Sequence, residues 1–189
     1  MSASVRWYAG MLEQNMMVSR MLGYHLHSPP RSNNRNKVSD SDLFKEMDDL
    51  VNFADHLSTV PASLYLQHES LVYEAVRLVS EDYRLVQREI FVRVAELGAR
   101  TTVLSLSECT HFLNSINRLD GCKERVSLLL VNRNRNDDLW DLIKETKENL
   151  VATMEKEKEG KMVVIAAVGN ESRKLTGFSE LYRLASRGR

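Results

Sequence analysis

The chain has 189 residues with 3 prolines, 8 glycines and 2 cysteines, and its 26 basic and 26 acidic side chains give a net charge of zero. This length suits one sizeable domain, and the scarcity of proline and glycine allows long helices. Balanced charge gives no indication of a nucleic-acid partner, and two cysteines are too few for a disulfide framework. We expect no signal peptide, and no apolar run approaches the roughly 18 residues of a membrane-spanning helix.

The first predicted helix covers residues 4–24, and the proline-containing stretch 25–40 after it is predicted to be a loop. Apolar side chains recur in this helix at intervals of three and four, which predicts an amphipathic helix with these residues on its buried face. The predicted face consists of Val5, Tyr8, Ala9, Leu12 and Met16.

The second predicted helix begins at the capping residues 39–41 and ends before Pro61. The third and longest covers residues 66–100, with Gly98 as a C-terminal stop. Each carries a single apolar stripe, which predicts its core-facing side. The stripes are Leu43, Met47, Leu50, Ala54 and Leu57 in the second helix, and Val72, Ala75, Val76, Val79, Tyr83, Val86, Ile90, Val94 and Leu97 in the third.

The fourth predicted helix follows Ser107 as its cap, and Gly121 in its interior indicates a close helix crossing or a kink. A fifth helix begins near Asp137 or Asp138. Cysteines in helix interiors commonly act as small buried hydrophobes, so we expect Cys109 and Cys122 to be buried. The stripes are Cys109, Phe112, Ile116, Leu119, Val126 and Leu130 in the fourth helix, and Leu139, Leu142, Ile143, Thr146, Leu150 and Met154 in the fifth.

These elements predict one all-α domain over residues 4–158 and a tail, 159–189, of uncertain structure. Motifs of metalloproteases, α/β-hydrolases and P-loop proteins do not occur in the sequence. His25 and His27 are close in sequence, but two ligands make a poor zinc site, since zinc usually takes four. We therefore expect no catalytic residues, no metal and no cofactor.

Three segments resemble a known family. Residues 5–9 read Val-Arg-Trp-Tyr-Ala and residues 12–14 read Leu-Glu-Gln. Residues 71–85 match a long-helix pattern of leucine, valine and alanine followed by acidic, aromatic and basic residues, and residues 108–112 open with Glu-Cys and close with Phe. Over roughly residues 4–155, the chain resembles the later part of the ANTH domain of plant clathrin-assembly proteins.

The resemblance implies an antiparallel helical stack of about five main helices, the C-terminal part of an ANTH/VHS-like superhelix. It implies a non-catalytic clathrin-coat assembly or endocytic adaptor, which in the parent family binds phosphoinositide membranes and clathrin, with binding of a SNARE-type cargo helix retained here. It further implies a cytoplasmic, peripheral location at clathrin-coated pits, clathrin-coated vesicles or the Golgi. The alternative is a truncated ANTH-like scaffold, or an incomplete gene model, that acts through protein–protein contacts.

The family's phosphoinositide-binding lysines and histidines lie on helices upstream of the match, so the resemblance assigns no lipid-binding residue here. Membrane binding is expected only if those helices exist. Residues 139–143 weakly resemble a clathrin-box peptide, although an ordinary helix explains their apolar pattern. A groove for a partner helix is predicted on the fourth and fifth helices, with an ordinary core as the alternative. Its residues are Ile116, Leu119, Val126, Leu130 and Leu142.

Overall fold

The computed structural model describes residues 2–27, 39–61, 70–129 and 138–157. These residues form five helices and short connections, with no strand among them, which confirms the predicted all-α class. The contacts divide the chain into residues 1–150 and 151–189, and the architecture given below is that of the first unit. The domain boundary predicted at residue 158 stays a prediction, and the tail 159–189 lies outside the described residues.

The helices are α1 (Ala3–Leu22), α2 (Asp40–Ser58), α3 (Ser70–Ala99), α4 (Leu106–Leu129) and α5 (138–157). All five were predicted from the apolar periodicity, with ends that agree within a few residues where both ends are described. None of the described helices combines the length and the apolar character that crossing a bilayer requires.

Local capping explains where α1 begins and ends. The Ser2 side chain accepts a hydrogen bond from the Val5 N–H at 3.3 Å. Gly23 adopts a left-handed conformation with φ of 72° and donates its N–H to the Arg20 carbonyl. Glycine adopts this conformation without the steric cost that a Cβ imposes, so the helix ends there.

The start of α4 differs from its prediction. Ser107 was expected to cap the helix, but the structure uses Ser105. The Ser105 N–H donates to Glu108 Oε2 at 2.8 Å, and the Glu108 N–H donates to Ser105 Oγ at 3.3 Å. This reciprocal capping box satisfies two free N–H groups at once, whereas a lone serine satisfies one.

Contacts between helices define an antiparallel stack. Glu46 contacts Arg93 and Asp40 contacts Arg100, so α2 and α3 run in opposite directions. By the same reasoning α1 runs parallel to α3, since Asn15 contacts Asp82 and Tyr24 contacts Glu89. The contacts Asp48–His111 and Asp55–Arg118 place α4 parallel to α2. The contacts Asp120–Lys147 and Lys123–Trp140 place α5 antiparallel to α4.

Helix α2 lies at the centre of this stack and packs against α1, α3 and α4. All five residues of its predicted stripe are buried, together with Phe44, Val51 and Phe53. The predicted stripe of α3 is buried from Val79 onward, whereas Val72, Ala75 and Val76 are partly exposed. The buried part of the α3 stripe is Val79, Tyr83, Val86, Ile90, Val94 and Leu97.

The buried face of α1 is not the predicted one. Val5, Leu12 and Met16 were expected in the core but are 49%, 48% and 55% exposed. Two apolar stripes on this helix share the helical period, and the structure buries the one that contains tryptophan, because the largest side chain removes the most apolar area from water. The buried apolar residues are Trp7, Met11, Val18 and Leu22, whereas Ala9 is exposed and Tyr8 is partly exposed.

The close helix crossing also lies elsewhere than predicted. Gly121 is exposed, and a Cβ built there meets nothing within 4 Å. A Cβ at Gly10 of α1 would instead lie against the imidazole of His56, with Cε1 at 2.6 Å. The glycine that permits close packing is therefore on α1, at its crossing with α2.

A charged side chain lies inside the apolar core. Arg93 is fully buried, and it donates from Nε to Glu46 and from Nη1 to Glu89, both at 2.7 Å. The Tyr24 hydroxyl donates to Glu89 at 2.8 Å. This cluster joins the end of α1 to α2 and α3, because a buried guanidinium requires carboxylates at close range.

Candidate functional site

An open cleft lies between the first halves of α1 and α3, which we call the α1–α3 cleft. Its volume of about 670 Å³ is within the range of ordinary ligand pockets. The walls come from two helices that run parallel and begin at the same end of the stack. The lining residues are Ser2, Ser4, Val5, Trp7, Tyr8, Leu71, Val72, Glu74, Ala75 and Leu78.

Apolar side chains of the cleft are open to solvent. Val5 is 49% exposed, Leu71 80% and Leu78 41%. Leu12 and Met16 follow Val5 at helical spacing and are also about half exposed, so the cleft continues into an apolar stripe along α1. Several apolar side chains exposed in one place make the cleft a candidate interaction surface.

Trp7 lines the cleft with a buried indole. Its side chain is 5% exposed and has an Nε1–H with no acceptor among the described residues. A buried donor without an acceptor costs about 1 to 3 kcal/mol.

Charges near the cleft come from the start of α1 and from side chains of α3. Helix α1 begins at Ser2 with no acidic residue in its first turn, whereas the first turn of α2 contains two and that of α4 contains Glu108. A helix start carries a partial positive charge, which acidic side chains offset in α2 and α4. Glu74 lines the cleft, and Arg77 pairs with both Glu74 at 2.8 Å and Glu81 at 2.7 Å.

The residues predicted for a partner-helix groove lie mainly in the core. Ile116, Leu119 and Val126 are at most 1% exposed, and Leu142 is partly exposed. Leu130 lies outside the described residues. The structure brings the three α4 side chains to one buried face, which agrees with the core alternative for them. A groove at the α4–α5 surface stays a prediction, with Leu142 as its accessible residue.

The segment that weakly resembles a clathrin box is part of α5. Leu139, Trp140 and Ile143 are buried, at 6%, 6% and 1% exposure. The Trp140 ring also receives the ammonium of Lys123 at 5.5 Å. Packed side chains in a helix do not present an extended peptide, which favours the ordinary-helix interpretation.

Two described histidines, His27 and His111, contact carboxylates of other helices. His27 Nε2 lies 2.6 Å from Asp82, and His111 Nε2 lies 3.1 Å from Asp48 while its ring stacks on Phe44. Within the described ranges, no group of three or more potential metal ligands comes together. His68 lies outside those ranges.

Both cysteines are buried, as predicted. Cys122 donates its thiol to Asp55 Oδ1 at 3.0 Å. Burial raises the pKa of this thiol to about 12, and the hydrogen bond to the Asp55 carboxylate acts in the same direction. Such a thiol is protonated and unreactive near neutral pH, because the thiolate is the nucleophile.

Sequence reasoning missed the α1–α3 cleft. The signal that was available is the pair of apolar stripes on α1, since one helix that packs on one side cannot bury both. Recognising Trp7 as the anchor of the buried stripe would have left Val5, Leu12 and Met16 on the outside.

Two proteins of Arabidopsis thaliana, each named "Putative clathrin assembly protein", are similar to this chain. One is 29% identical over 157 residues, which are 78% of this chain and 43% of that protein. The other is 29% identical over 185 residues, which are 89% of this chain and 52% of that protein. The chain thus spans about half the length of the curated relatives it matches.

No family model matches the sequence, and no solved structure matches it. The similarity to the two plant proteins extends over most of the chain, and the described part has the all-helical stack that the resemblance implied. The chain is therefore a relative of the plant proteins named for clathrin assembly.

Proposed function

We propose that the chain is a non-catalytic adaptor in the assembly of clathrin coats. The observation that carries the proposal is the similarity to two proteins named for clathrin assembly, over 78% and 89% of the chain. The described helices support it physically, since a stack of antiparallel helices offers grooves and apolar faces for protein partners.

Co-sedimentation with clathrin cages tests this proposal. The full chain is mixed with cages assembled from purified clathrin and centrifuged, with the chain alone and an unrelated helical protein of similar size as controls. We expect the chain to be enriched in the cage pellet and both controls to stay in the supernatant. A chain that stays in the supernatant at micromolar cage concentrations would contradict clathrin binding.

The resemblance further suggests a cargo partner, the helix of a SNARE-type protein, at the surface of α4 and α5. Leu142 on α5 is partly exposed and could contact such a helix, whereas Ile116, Leu119 and Val126 support the surface from within. Replacing Leu142 by serine should weaken binding of a SNARE helix, measured by calorimetry. Val103→Ser is the control, because Val103 is 77% exposed and precedes α4. Equal affinity of both variants for the helix would exclude this surface.

The proposed place of action is the membrane periphery, at clathrin-coated pits, clathrin-coated vesicles or the Golgi. The names of the relatives support this placement. A fluorescent fusion of the full chain should overlap with a clathrin light-chain marker in plant cells. Diffuse fluorescence without overlap would count against the placement.

The second candidate function is a helical scaffold that acts through protein contacts without clathrin. The exposed apolar α1–α3 cleft favours it, because this surface offers protein binding independent of a coat. Absence of cage binding combined with binding of a peptide at the cleft would support this candidate over the first.

A further inference from the structure

We propose that the outward surface of α3 docks an acidic helical segment of a partner protein. This surface, which we call the α3 outer face, consists of exposed residues in the second half of the helix. They are Arg84, Arg88, Phe91, Val92 and Ala95. The surface suggested for SNARE cargo lies on other helices, so the proposal stands independently of cargo binding and of clathrin binding.

The residues of the α3 outer face lie on one side of the helix. At 3.6 residues per turn, their positions fall within an arc of about 100°, and the stretch from Arg84 to Ala95 rises about 16 Å. The buried apolar stripe of α3 lies on the other side of the helix. The α3 outer face is therefore separate from the side of α3 that packs in the core.

Two arginines of this face lack a partner in the described part of the chain. Arg84 and Arg88 are exposed and four residues apart, a spacing at which like charges destabilise a helix. Neither guanidinium has an ion pair among the described residues. The other arginines of α3, which are Arg77, Arg93 and Arg100, all pair with carboxylates.

The acidic residues on the same side of α3 do not remove this positive charge. Glu81 lies three residues before Arg84, but Arg77 binds it at 2.7 Å and also binds Glu74 at 2.8 Å. These three side chains carry one negative charge together, whereas Arg84 and Arg88 carry two positive charges. A local arrangement that costs stability without internal compensation is typical of a functional surface.

The spacing of the two arginines indicates the chemistry of the partner. Four residues rise about 6 Å along a helix, which is also the separation of two carboxylates on successive turns of a partner helix. Guanidinium groups bind carboxylates through two parallel N–H···O hydrogen bonds. The Arg84–Arg88 pair therefore complements a helix that carries two acidic residues four apart.

Apolar side chains extend the same face by one turn. Phe91 and Val92 follow Arg88 by three and four residues, and each is 39% exposed. Ala95 follows them with a short side chain, which allows a partner helix to approach closely. The partner segment should therefore carry apolar residues one turn beyond its two acidic residues.

A short segment fits the α3 outer face better than a membrane does. Polybasic membrane sites usually contain about 4–8 lysines or arginines, and this face contains two. A flat anionic surface would also meet Glu74 and Glu81 on the same side of α3, and like charges would repel it. A second folded copy is disfavoured by size, since a stable interface takes roughly 20–30 residues on each side.

Fluorescence anisotropy with a model peptide tests the proposal. The probe is a labelled 13-residue helix with glutamates at its fifth and ninth positions, leucines at its first two and last two positions, and alanine and glutamine elsewhere. Its pattern reads the same in both directions, and its control carries glutamines in place of the glutamates. We expect the full chain to bind the glutamate peptide about tenfold more tightly, because two exposed ion pairs contribute a few-fold each. This preference should decrease as salt is added.

Matched variants locate the binding. Arg88→Gln changes the α3 outer face, and Arg6→Gln changes an exposed arginine of α1 that has no ion pair among the described residues. We expect a loss of affinity of about fivefold in Arg88→Gln and none in Arg6→Gln, and both should fold normally because neither side chain is packed. Phe91→Ser should also weaken binding, whereas Leu12→Ser, at a residue of α1 that is 48% exposed, should not.

Several outcomes would overturn the proposal. Two are equal affinity for both peptides and an equal loss of affinity in the two glutamine variants. Vesicles of phosphatidylcholine and phosphatidylserine that bind the parent chain but not the double variant Arg84→Gln and Arg88→Gln would assign the face to a membrane. A dimer in sedimentation equilibrium that the same double variant dissociates would assign it to a second copy.

Discussion

Gly10 of α1 lies against His56 of α2, so that a Cβ at position 10 would come within 2.6 Å of His56 Cε1. The Nε2 atom of the same imidazole is buried and has no hydrogen-bond partner in the described residues. The absence of a side chain at position 10 therefore allows α1 and α2 to pack closely, as glycine does where helices approach each other.

Gly10→Ala should destabilise the fold by a net of about 0 to 2 kcal/mol, because overpacking costs about 1 to 3 kcal/mol and alanine gains roughly 1 kcal/mol as a helix former. Urea unfolding measures the change. Gly121→Ala is the matched control, because a Cβ there meets nothing within 4 Å, and it should stabilise α4 by about 1 kcal/mol. Equal effects of the two substitutions would contradict the close packing at Gly10.

Val79→Asp should destabilise the fold by about 3 to 5 kcal/mol, because it places an unpaired carboxylate in the core. Val79 is 3% exposed on the buried face of α3. Thermal melting followed by circular dichroism measures the loss. Val92→Asp on the same helix is the control, since Val92 is 39% exposed and should tolerate the charge. A melting temperature that Val79→Asp leaves unchanged would disprove the assigned face.

Arg93→Met should cost about 3 to 5 kcal/mol, because it leaves two carboxylates in a poorly hydrated site without their cation. The Glu46 and Glu89 side chains are 22% and 16% exposed. Adding Glu46→Gln and Glu89→Gln to this variant should restore part of the stability, since neutral amides cost less to bury. Chemical unfolding of the triple variant that shows no recovery would mean that packing of the Arg93 stem, and not its charge, holds the helices.

Stability should fall as the pH rises from about 9 towards 12, in part because of Cys122. The folded pKa of this thiol is about 12 against an ordinary 9.0, so its contribution is complete below pH 9 and is lost as the pH approaches 12. Burial also raises the pKa of Tyr83 above its ordinary 10.0, with the same sign. In urea melts across this range, Cys122→Ala should show a shallower decline than the parent chain, and a slope that is unchanged would contradict the assignment.

Liposomes that contain phosphatidylinositol 4,5-bisphosphate should bind the chain no better than neutral liposomes. Several basic side chains of the described helices, such as Arg77, Arg100 and Arg118, already pair with carboxylates. Co-sedimentation at low and high salt measures the binding. Strong sedimentation that depends on the headgroup and weakens with salt would show a phosphoinositide site in this chain.

The sequence was sufficient for α2 and for α3 from Val79 onward, because each carries one dominant apolar stripe there, which leaves a single way to bury it. It was insufficient for α1, where Val5 and Trp7 begin two stripes with the same period. Periodicity cannot rank two such stripes, whereas the area of the tryptophan side chain can. The capping residue of α4 was missed for a similar reason, since Ser105 and Ser107 are both good caps and the position of Glu108 decides between them.

The second wall of the α1–α3 cleft could not be predicted from local pattern. It depends on the parallel alignment of α1 with α3, which contacts such as Asn15–Asp82 establish across 67 residues of sequence. The sequence could not distinguish the predicted groove on α4 from a core-facing stripe, because a buried stripe and a docking stripe have the same periodicity. Burial separates them, and it places Ile116 inside the protein.

The buried guanidinium of Arg93 also limits how the described stack can move. Sliding α2 away from α3 would separate Arg93 from Glu46. The guanidinium would then be buried without this carboxylate, at a free-energy cost comparable to much of a small domain's net stability. Hinge motion between α2 and α3 is therefore suppressed. A binding partner therefore meets surface residues whose spacing is fixed, and its selectivity must come from how well it fits them.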